Sequence, residues 1–302
     1  MIEIGLCTDD NYSMACGVCI TSIFESNQGN KVRVHVLTDG LSEVNIRKFE
    51  MTAKRYNQCV EIHNIDANIF QNLPTTKQFK PSIYYRYLFP LILDPSIAKM
   101  LYLDCDIVVK EDLRELWNTD IKDYACAIAW DQNGDDPKHK DRINIEETYA
   151  NSGVILVNLD DWRSKEIAKF CMQFNSEYPE LCLMPDQDAI NVVLQGQMLS
   201  LHPKYNFQQR YLLPVKKLRL DKDKLSAVVE ACQNPSIIHF NGYIKPWHKE
   251  CQHPMKSIFL EIKAKSEWKD IPITRLKHGI VSVGLFFRSY LIKMLRVFDI
   301  YI

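Results

Sequence analysis

The stretch from Lys99 to Ile107 constrains the fold of this 302-residue chain more than any other part of it. An apolar run over 100–103 ends in Asp104, and Asp106 follows just before a second apolar run. A short apolar run bounded by polar residues is typical of a buried strand in an α/β sheet. Ligands of such sheets bind beyond the carboxyl ends of the strands, where these acids would lie. Carboxylates this close repel each other unless a cation or a shared proton lies between them, and Mg²⁺ or Mn²⁺ would serve. On its own the pattern also fits solvated turn acids, or a metal enzyme of another class such as a phosphatase.

A second polar segment follows a predicted strand far along the chain. The strand Ser236 to Phe240 includes His239, and Gly242 and Lys245 follow at three-residue spacing before Pro246-Trp247. Neutral imidazole is a good transition-metal ligand, lysine suits phosphate, and glycine permits a close backbone approach or a positive φ.

These two segments together predict a site for a cation and a diphosphate. His239 taken singly would more often be a structural histidine. Joined with Asp104 and Asp106 it completes a plausible ligand set for the cation, and Lys245 with the Gly242 backbone would hold the anion.

An Asp-x-Asp strand with a downstream His-x-x-Gly-x-x-Lys-Pro-Trp resembles glycosyltransferase family 8, over about residues 1–250. The resemblance implies a GT-A fold, which is a Rossmann-like mixed α/β sheet flanked by helices. It also implies a UDP-hexose donor, usually UDP-glucose or UDP-galactose, Mn²⁺ as cofactor with Mg²⁺ as the alternative, and retention of the anomeric configuration.

The N-terminal segment predicts a nucleotide-binding turn. Ile2 to Thr8 is a predicted strand, and Asp9, Asn11 and Tyr12 stand between it and a helix. A carboxylate can accept a uracil N3–H and a tyrosine ring can stack on a base, although a plain helix N-cap explains the same residues. The matching segment of the family contacts uracil and ribose, so the resemblance assigns these three residues to the donor.

The periodicity of the following segments predicts a β-α-β-α-β order. Val32 to Thr38 and Val60 to Ile65 are predicted strands, and Ser42 caps a helix that runs to about Tyr56. This order implies parallel strands with right-handed crossovers. The absence of a G-x-G-x-x-G after the first strand weighs against a dinucleotide-binding fold.

Arg86 is the one charged residue in an apolar and aromatic run, Pro81 to Leu93, which predicts an amphipathic helix. A buried arginine needs a partner. It would either form a structural ion pair, with Asp94 or Asp104, or reach the donor and the metal-site acids, as the resemblance implies.

Three further polar groups accompany predicted elements. Asp131 ends the predicted strand Ala125 to Trp130, Asn151-Ser152-Gly153 precedes the predicted strand Val154 to Asn158, and Asp186-Gln187-Asp188 opens a helix. Turn formers and acids at a helix N-terminus are ordinary in such places. The resemblance implies that Asp131, Asn151, Ser152 and Asp186 bind the donor sugar and that Gln187 lies near the anomeric carbon. With Lys245, the predicted catalytic residues are Asp131, Gln187 and Asp188.

A predicted helix from Leu159 to Phe174 should bury Trp162 and Phe170. The ten cysteines are scattered, which favours reduced thiols in the cytosol, and Cys16 and Cys19 are expected to pack in the first helix. Cys105 stands in the donor-binding segment, but neighbouring side chains alternate sides along an extended chain, so we expect it to pack away from the two acids.

Composition and charge limit the partners. The formal net charge of −1 gives no reason to expect nucleic acid. No signal peptide or spanning segment is indicated at the N-terminus or elsewhere, so the predicted location is cytoplasmic.

Beyond a predicted catalytic domain, 1–250, a helical extension over 251–302 is predicted. His253 to Lys269 is expected to be helical, and Leu276 to Ile302 is apolar with a net charge of +3, four basic residues against one acid. This tail predicts a peripheral contact with the cytoplasmic membrane, or else a helix docked on the domain or on a partner subunit. The oligomeric state is not indicated.

The combined interpretation is a retaining hexosyltransferase that acts on a glycan acceptor, such as lipopolysaccharide or another cell-surface glycan, which the tail suggests is lipid-linked. A front-face route is favoured over double displacement, because the Gln187 amide is a poor nucleophile, although the Asp188 carboxylate is a candidate. Residues 205–225 are either an acceptor-facing loop or a plain surface loop. A metal-dependent sugar-nucleotide hydrolase and a catalytically silent UDP-sugar-binding protein are the alternatives.

Overall fold

The structure, a computed structural model, describes residues 1–75, 80–131, 136–213, 218 and 220–276. The predicted apolar-basic tail therefore lies outside the described residues beyond Leu276, as does part of the predicted loop 205–225. Within the described ranges, no helix is long and apolar enough to cross a bilayer.

The first three strands form the predicted parallel unit. Strands β1 Ile2–Cys7, β2 Val32–Thr38 and β3 Cys59–Asn64 alternate with helices α1 Ser13–Ser26 and α2 Glu43–Tyr56. Residues on both faces of β1 are buried, with Ile2, Ile4 and Leu6 on the apolar face, as expected for a strand that is covered on both sides. The Ser42 side chain accepts a hydrogen bond from the Asn45 N–H and starts α2, as the sequence predicts.

Four more strands complete a seven-stranded mixed sheet, in the order β3-β2-β1-β4-β7-β6-β8. Strand β4 Lys99–Leu103 is parallel to β1, β7 Ala150–Asn158 is antiparallel to β4 and to β6 Cys126–Trp130, and β8 Met198–Ser200 is parallel to β6. The carboxyl ends of β1, β4 and β6 therefore meet the amino end of β7 at one edge of the sheet. Most of the predicted site residues follow or begin these strands.

A smaller sheet lies beside this edge. Strand β10 Ile237–His239 is antiparallel to β5 Ile107–Val109 and parallel to β9 Phe207–Gln208. The second apolar run after Asp106 therefore belongs to a different sheet from the first. Its register pairs His239 with Ile107, which brings the imidazole next to the Asp-x-Asp segment.

The shorter helices surround the two sheets. They are α3 Phe89–Ile92, α4 Arg114–Trp117, α5 Pro137–Arg142, α6 Leu159–Ser164, α7 Ile167–Glu177, α8 Pro185–Val193, α9 Lys222–Gln233 and α10 Lys256–Lys265.

Two predicted helices differ in the structure. The segment Pro81–Leu88 is a 3₁₀ helix that only then continues as α3, because Pro90 has no N–H to donate to the Arg86 carbonyl. The predicted helix from Leu159 splits into α6 and α7 at Glu166, whose φ is 51°. The split turns Phe170 outward, where it is 48% exposed, so the prediction of a core position was wrong.

The sequence predicts Asn151-Ser152-Gly153 before the strand, among turn-forming residues. In the structure the tripeptide lies near the beginning of β7 instead. The β6–β7 ladder resumes beyond a bulge, with Trp130 opposite Ala150, and the Asn191 side chain accepts the Ala150 N–H. These pairings extend β7 toward the site.

The chain beyond residue 250 packs on the first two helices as far as it is described. Helix α10 forms within the predicted 253–269 range, and Trp268 is fully buried against Phe49 and over Gly17. The Trp268 indole N–H donates to Asn45 Oδ1 at 2.9 Å. The division at residue 250 stays a prediction.

Candidate active site

A cleft of about 630 Å³ opens at the edge where β1, β4, β6 and β7 meet. Its volume falls in the range of small-molecule sites, about 300–1,000 Å³. A second cavity of about 290 Å³ joins it, and the two share Tyr12, Ile83, Arg86, Asp104 and Asp106. The smaller one is lined by the turn after β1 and the larger one by β7, α8 and the segment after β10. The predicted site residues other than Asp188 therefore line two connected lobes.

Asp104, Asp106 and His239 converge where the lobes meet. His239 Nε2 lies 3.2 Å from Asp106 Oδ1 and 3.6 Å from Asp104 Oδ2, and one ligand atom from each residue lies within 4.8 Å of the others. Two carboxylates and an imidazole are the donor set that the sequence predicts for a divalent cation, and their placement fits one.

Asn206 determines which nitrogen of His239 faces the acids, and the sequence reasoning missed this residue. The Asn206 amide nitrogen donates to Asn151 Oδ1 at 2.9 Å, which turns its oxygen toward His239 Nδ1, also at 2.9 Å. His239 then carries its proton on Nδ1 and presents the Nε2 lone pair to the acids. Asn206 is fully buried at the start of the predicted loop 205–225, which is therefore not a plain surface loop at this end.

Gly153 allows β7 to pass close to this cluster. A Cβ atom built at this position would overlap the His239 ring and lie 2.8 Å from Asp104 Oδ2. The Gly153 carbonyl also accepts the Asp104 N–H at 2.8 Å. The glycine is needed for close approach within a strand, not for a turn.

Lys245 is the cation nearest to the acids. Its ammonium group donates to Asp106 Oδ2 and, at 3.0 Å, to the Phe240 carbonyl. Burial raises the pKa of Asp106, but Lys245 and His239 lower it by more. The pKa of this carboxyl therefore lies well below its usual range, which keeps the group ionised.

Arg86 joins two predicted donor-binding acids. Its guanidinium lies 2.9 Å from Asp104 Oδ1 and 3.0 Å from Asp186 Oδ2, and it donates to the Ser152 carbonyl at 2.7 Å. Of the two ion-pair partners that the sequence left open, the structure selects Asp104. Burial raises the pKa of Asp186 although Arg86 lowers it, so this carboxylate depends on its partner.

Tyr102, which the sequence reasoning missed, supports this pair from the second-last position of strand β4. Its hydroxyl donates to Asp104 Oδ1 at 2.8 Å, and its ring lies 4.4 Å from the Arg86 guanidinium carbon. In the sequence, Tyr102 is one residue of the apolar run that precedes Asp104, and nothing there marks it as a partner of the acid.

The wall formed by β6, β7 and α8 presents amide and carboxyl groups. The Asn151 amide nitrogen donates to Asp131 Oδ2 at 2.7 Å and to Gln187 Oε1 at 3.1 Å. The Ser152 hydroxyl donates to Asp186 Oδ2 at 3.1 Å. This part of the cleft therefore presents both hydrogen-bond donors and acceptors.

Asp188 lies apart from the other predicted residues. Its carboxylate has no exposed surface and accepts hydrogen bonds from Tyr149 Oη at 2.6 Å and from the Met184 N–H at 2.9 Å, with His139 Nε2 at 2.8 Å. It does not line the cleft. The structure therefore gives Asp188 a place in the packing beneath α8 instead of a position for nucleophilic attack.

The turn after β1 forms the helix cap that the sequence left open as one of two roles, and its part in nucleotide binding stays a prediction. Asp9 Oδ1 accepts the Tyr12 N–H at 2.8 Å, which is a helix cap, and the other oxygen lies 3.4 Å from Lys80 Nζ. Tyr12 meets Trp247 edge-to-face at 5.3 Å, and Asn11 lines the smaller lobe beside it. An aromatic ring and polar side chains therefore stand together at the smaller lobe.

Gly242 and Cys105 play structural parts. Gly242 does not have a positive φ, which excludes one of the two predicted reasons for a glycine, and a Cβ at this position would overlap the Gln209 side chain. A close approach of its backbone to the anion stays a prediction. The Cys105 thiol donates to the Cys7 carbonyl at 3.1 Å, as expected for a packing residue. A hydrogen bond with Cys16 and burial raise the pKa of this thiol, which keeps it neutral.

Comparison with known proteins gives a consistent picture. The model of the family described as Glycosyl transferase family 8 matches residues 3–251. General stress protein A of Bacillus subtilis (strain 168) is 30% identical over 279 residues, which cover 90% of this chain and 96% of that protein. The lipopolysaccharide glucosyltransferase WaaO of Escherichia coli (strain K12) is 27% identical over 284 residues, or 91% of this chain and 81% of that protein.

A solved structure shows the same fold. The galactosyltransferase LgtC, in complex with donor and acceptor sugar analogues, matches with a TM-score of 0.79 at 24% identity, covering 88% of this chain and 96% of that one. The mixed α/β fold of GT-A type, expected from the sequence, is confirmed.

Proposed function

This chain belongs to glycosyltransferase family 8, and on that premise we propose that it transfers glucose or galactose from a UDP-sugar to a glycan acceptor with retention of configuration. The observation that carries the proposal is the cluster of Asp104, Asp106 and His239 beside Lys245, at the junction of the two lobes. A nucleoside diphosphate sugar has a flat base at one end, hydroxyls at the other and its negative charge between them. The smaller lobe, the cluster and the larger lobe present groups that suit these three parts in the same order.

Each lobe would hold one part of the donor. Asp9, Asn11 and Tyr12 would bind uridine in the smaller lobe, where Lys80 adds a positive charge. Asp131, Asn151, Ser152 and Asp186 would bind the hexose hydroxyls in the larger one. Arg86 lines both lobes, and its two ion pairs would fix the positions of Asp104 and Asp186 relative to each other.

A divalent cation held by Asp104, Asp106 and His239 would stabilise the charge that develops on the departing diphosphate. The imidazole ligand favours Mn²⁺ over Mg²⁺, which prefers an all-oxygen shell. The Lys245 ammonium already lies in this cluster, so it would neutralise a β-phosphate without a large movement.

The front-face route follows from which groups face the sugar. The Gln187 amide lines the larger lobe but is a weak nucleophile, and Asp188 lies outside the cleft. The acceptor hydroxyl would attack on the side from which UDP leaves, and its proton would pass to the leaving phosphate. The C1–O bond to UDP breaks as the bond to the acceptor forms.

The acceptor and the location extend the same proposal. The lipopolysaccharide glycosyltransferases among the relatives favour a cell-surface glycan as the acceptor. The proposed location is cytoplasmic, which the scattered cysteines support because they favour reduced thiols. Contact of the tail with the membrane is a prediction from the sequence that has no structural support, because residues 277–302 lie outside the described part.

Two alternatives make different demands on the site. A hydrolase needs a carboxylate or imidazole free to activate water. Among the described residues of the cleft, the acids are engaged: Asp104 and Asp186 by Arg86, Asp106 by Lys245 and Asp131 by Asn151. A silent binding protein would keep the donor lobes without turnover.

Transfer is tested by measuring UDP release with Mn²⁺ and either UDP-glucose or UDP-galactose, with and without candidate glycan acceptors. We expect release from one donor, stimulated by the matching acceptor, abolished by chelator and by Asp106→Ala, and unchanged in Asp120→Ala, a surface acid 70% exposed. Release that no acceptor stimulates would support the hydrolase. Mn²⁺-dependent UDP binding without release under any acceptor would support the binding protein.

A further inference from the structure

A second group of potential metal-ligating side chains lies outside the cleft, on the two outermost strands, β3 and β2, at one side of the central sheet. It consists of His35 on β2 and of Glu61 and His63 on the edge strand β3. The register pairs His35 with Glu61, and residues two apart on a strand face the same side of the sheet. The parallel pairing of β2 and β3 therefore places all three side chains on one face.

The three ligand atoms converge. His35 Nδ1 lies 3.1 Å from His63 Nε2 and 3.4 Å from Glu61 Oε2, and His63 Nε2 lies 4.0 Å from the same oxygen. Ligands of a tetrahedral zinc ion at 2.0–2.1 Å are about 3.3 Å apart, which is close to two of these separations. Small side-chain movements would bring the third to the same value.

Neighbouring charges orient two of the three ligands. His35 Nε2 lies 3.0 Å from Glu3 Oε2 on β1, and this carboxylate holds the proton on Nε2 so that Nδ1 presents its lone pair to the cluster. Arg33 lies 3.5 Å from Glu61 Oε1, which leaves the second oxygen of Glu61 facing the two histidines. A carboxylate behind a histidine is the arrangement that supports zinc ligands elsewhere.

Burial divides the cluster into an anchor and an entrance. The His35 side chain is 1% exposed, whereas those of His63 and Glu61 are 23% and 41% exposed. An ion could therefore enter from solvent and leave the fourth position to water. Two imidazoles and one carboxylate favour zinc over Mg²⁺ or Ca²⁺, which prefer oxygen ligands.

We propose that His35, Glu61 and His63 bind one zinc ion, with Glu3 as the residue that orients His35. The ion would link β2 to the edge strand β3 and, through Glu3, to β1. It would stabilise the three strands together, including β1, which ends in the proposed nucleotide-binding turn. It is independent of the metal proposed for catalysis.

The test is a Zn²⁺ titration of the full chain in competition with a chelating dye. All variants carry Asp106→Ala, which removes the cleft site, and Cys59→Ala, which removes the exposed thiol 3.7 Å from Glu61 Oε1. This background should bind one equivalent of Zn²⁺, and His63→Ala should weaken that binding at least tenfold. Glu3→Gln should weaken it about 10- to 100-fold, as expected when the support of a ligand is lost. The matched control is His202→Ala, a partly exposed histidine that pairs with Glu230 elsewhere.

Thermal unfolding supplies a second readout. Zn²⁺ should raise the Tm of the background and of His202→Ala but not of His63→Ala, because an ion that binds only the folded chain stabilises it. Glu61→Gln, at an exposed side chain, keeps the test valid if His63→Ala folds poorly. Equal Zn²⁺ affinity in the background, His63→Ala and Glu61→Gln would overturn the proposal, as would no binding in the background.

Discussion

Replacing Asn206 by alanine should weaken Mn²⁺ binding, although Asn206 is not one of the proposed ligands. The change removes two buried hydrogen bonds, each 2.9 Å long, one with His239 Nδ1 and one to Asn151 Oδ1. Without the first, His239 is free to carry its proton on Nε2, which would block the lone pair that faces the acids. Loss of a group that supports a metal-binding histidine costs about 10- to 100-fold in affinity. That loss corresponds to about 1.4–2.8 kcal/mol.

The assay is a calorimetric titration of Mn²⁺ into the protein saturated with UDP, accompanied by urea unfolding. The control is Asn27→Ala, another fully buried asparagine, whose side chain accepts the Leu113 N–H far from the cleft. Both variants should lose stability, by about 1–3 kcal/mol for the groups left unpaired, but only Asn206→Ala should lose Mn²⁺ affinity. Equal Mn²⁺ affinity in Asn206→Ala and Asn27→Ala would refute the assigned tautomer.

Three further substitutions test other parts of the structure. Arg86→Met should lower the free energy of unfolding in urea by about 3–5 kcal/mol at pH 7.5, because Asp186 is left buried and unpaired. Since burial raises the pKa of Asp186, this cost should shrink as the pH falls through that raised pKa, and a loss independent of pH would contradict the pairing. Gly153→Ala should reduce Mn²⁺ affinity about tenfold or more, because the new methyl group displaces the His239 ring. The control Gly29→Ala, at a position where nothing lies within 4 Å, should keep its Mn²⁺ affinity, and equal affinities in the two variants would contradict the close contact between Gly153 and His239. Trp268→Ala should cost about 3–5 kcal/mol in the same urea assay, and a loss below about 1 kcal/mol would show that the chain beyond residue 250 is not part of the folded core.

The strands and the cluster of metal-ligating residues could be predicted because their signals are local. Buried strands such as β4 consist of short apolar runs, and the acids that follow them are visible in the sequence. Asp104 and Asp106 needed only one further inference, that the strand after residue 236 brings His239 to the same edge. The β-α-β-α-β order gave the parallel unit of β1, β2 and β3 directly.

What the sequence could not give depends on contacts between distant segments. Asn206 supports His239 across 33 positions, and nothing near either residue marks the pair. Asp188 was expected at the sugar because it is next to Asp186 and Gln187, but on a helix a neighbour two positions along faces away, and Tyr149 and His139 bury its carboxylate.

The most direct test of the metal–diphosphate site is the affinity for UDP with and without Mn²⁺, measured by calorimetry in the wild type, in Asp106→Ala and in His239→Ala. If the cluster holds the ion against the diphosphate, Mn²⁺ should tighten UDP binding by the wild type at least about tenfold, or 1.4 kcal/mol, and should have no effect in either variant. UDP affinity that does not depend on Mn²⁺ in the wild type, or a Mn²⁺ effect that survives in both variants, would contradict the site.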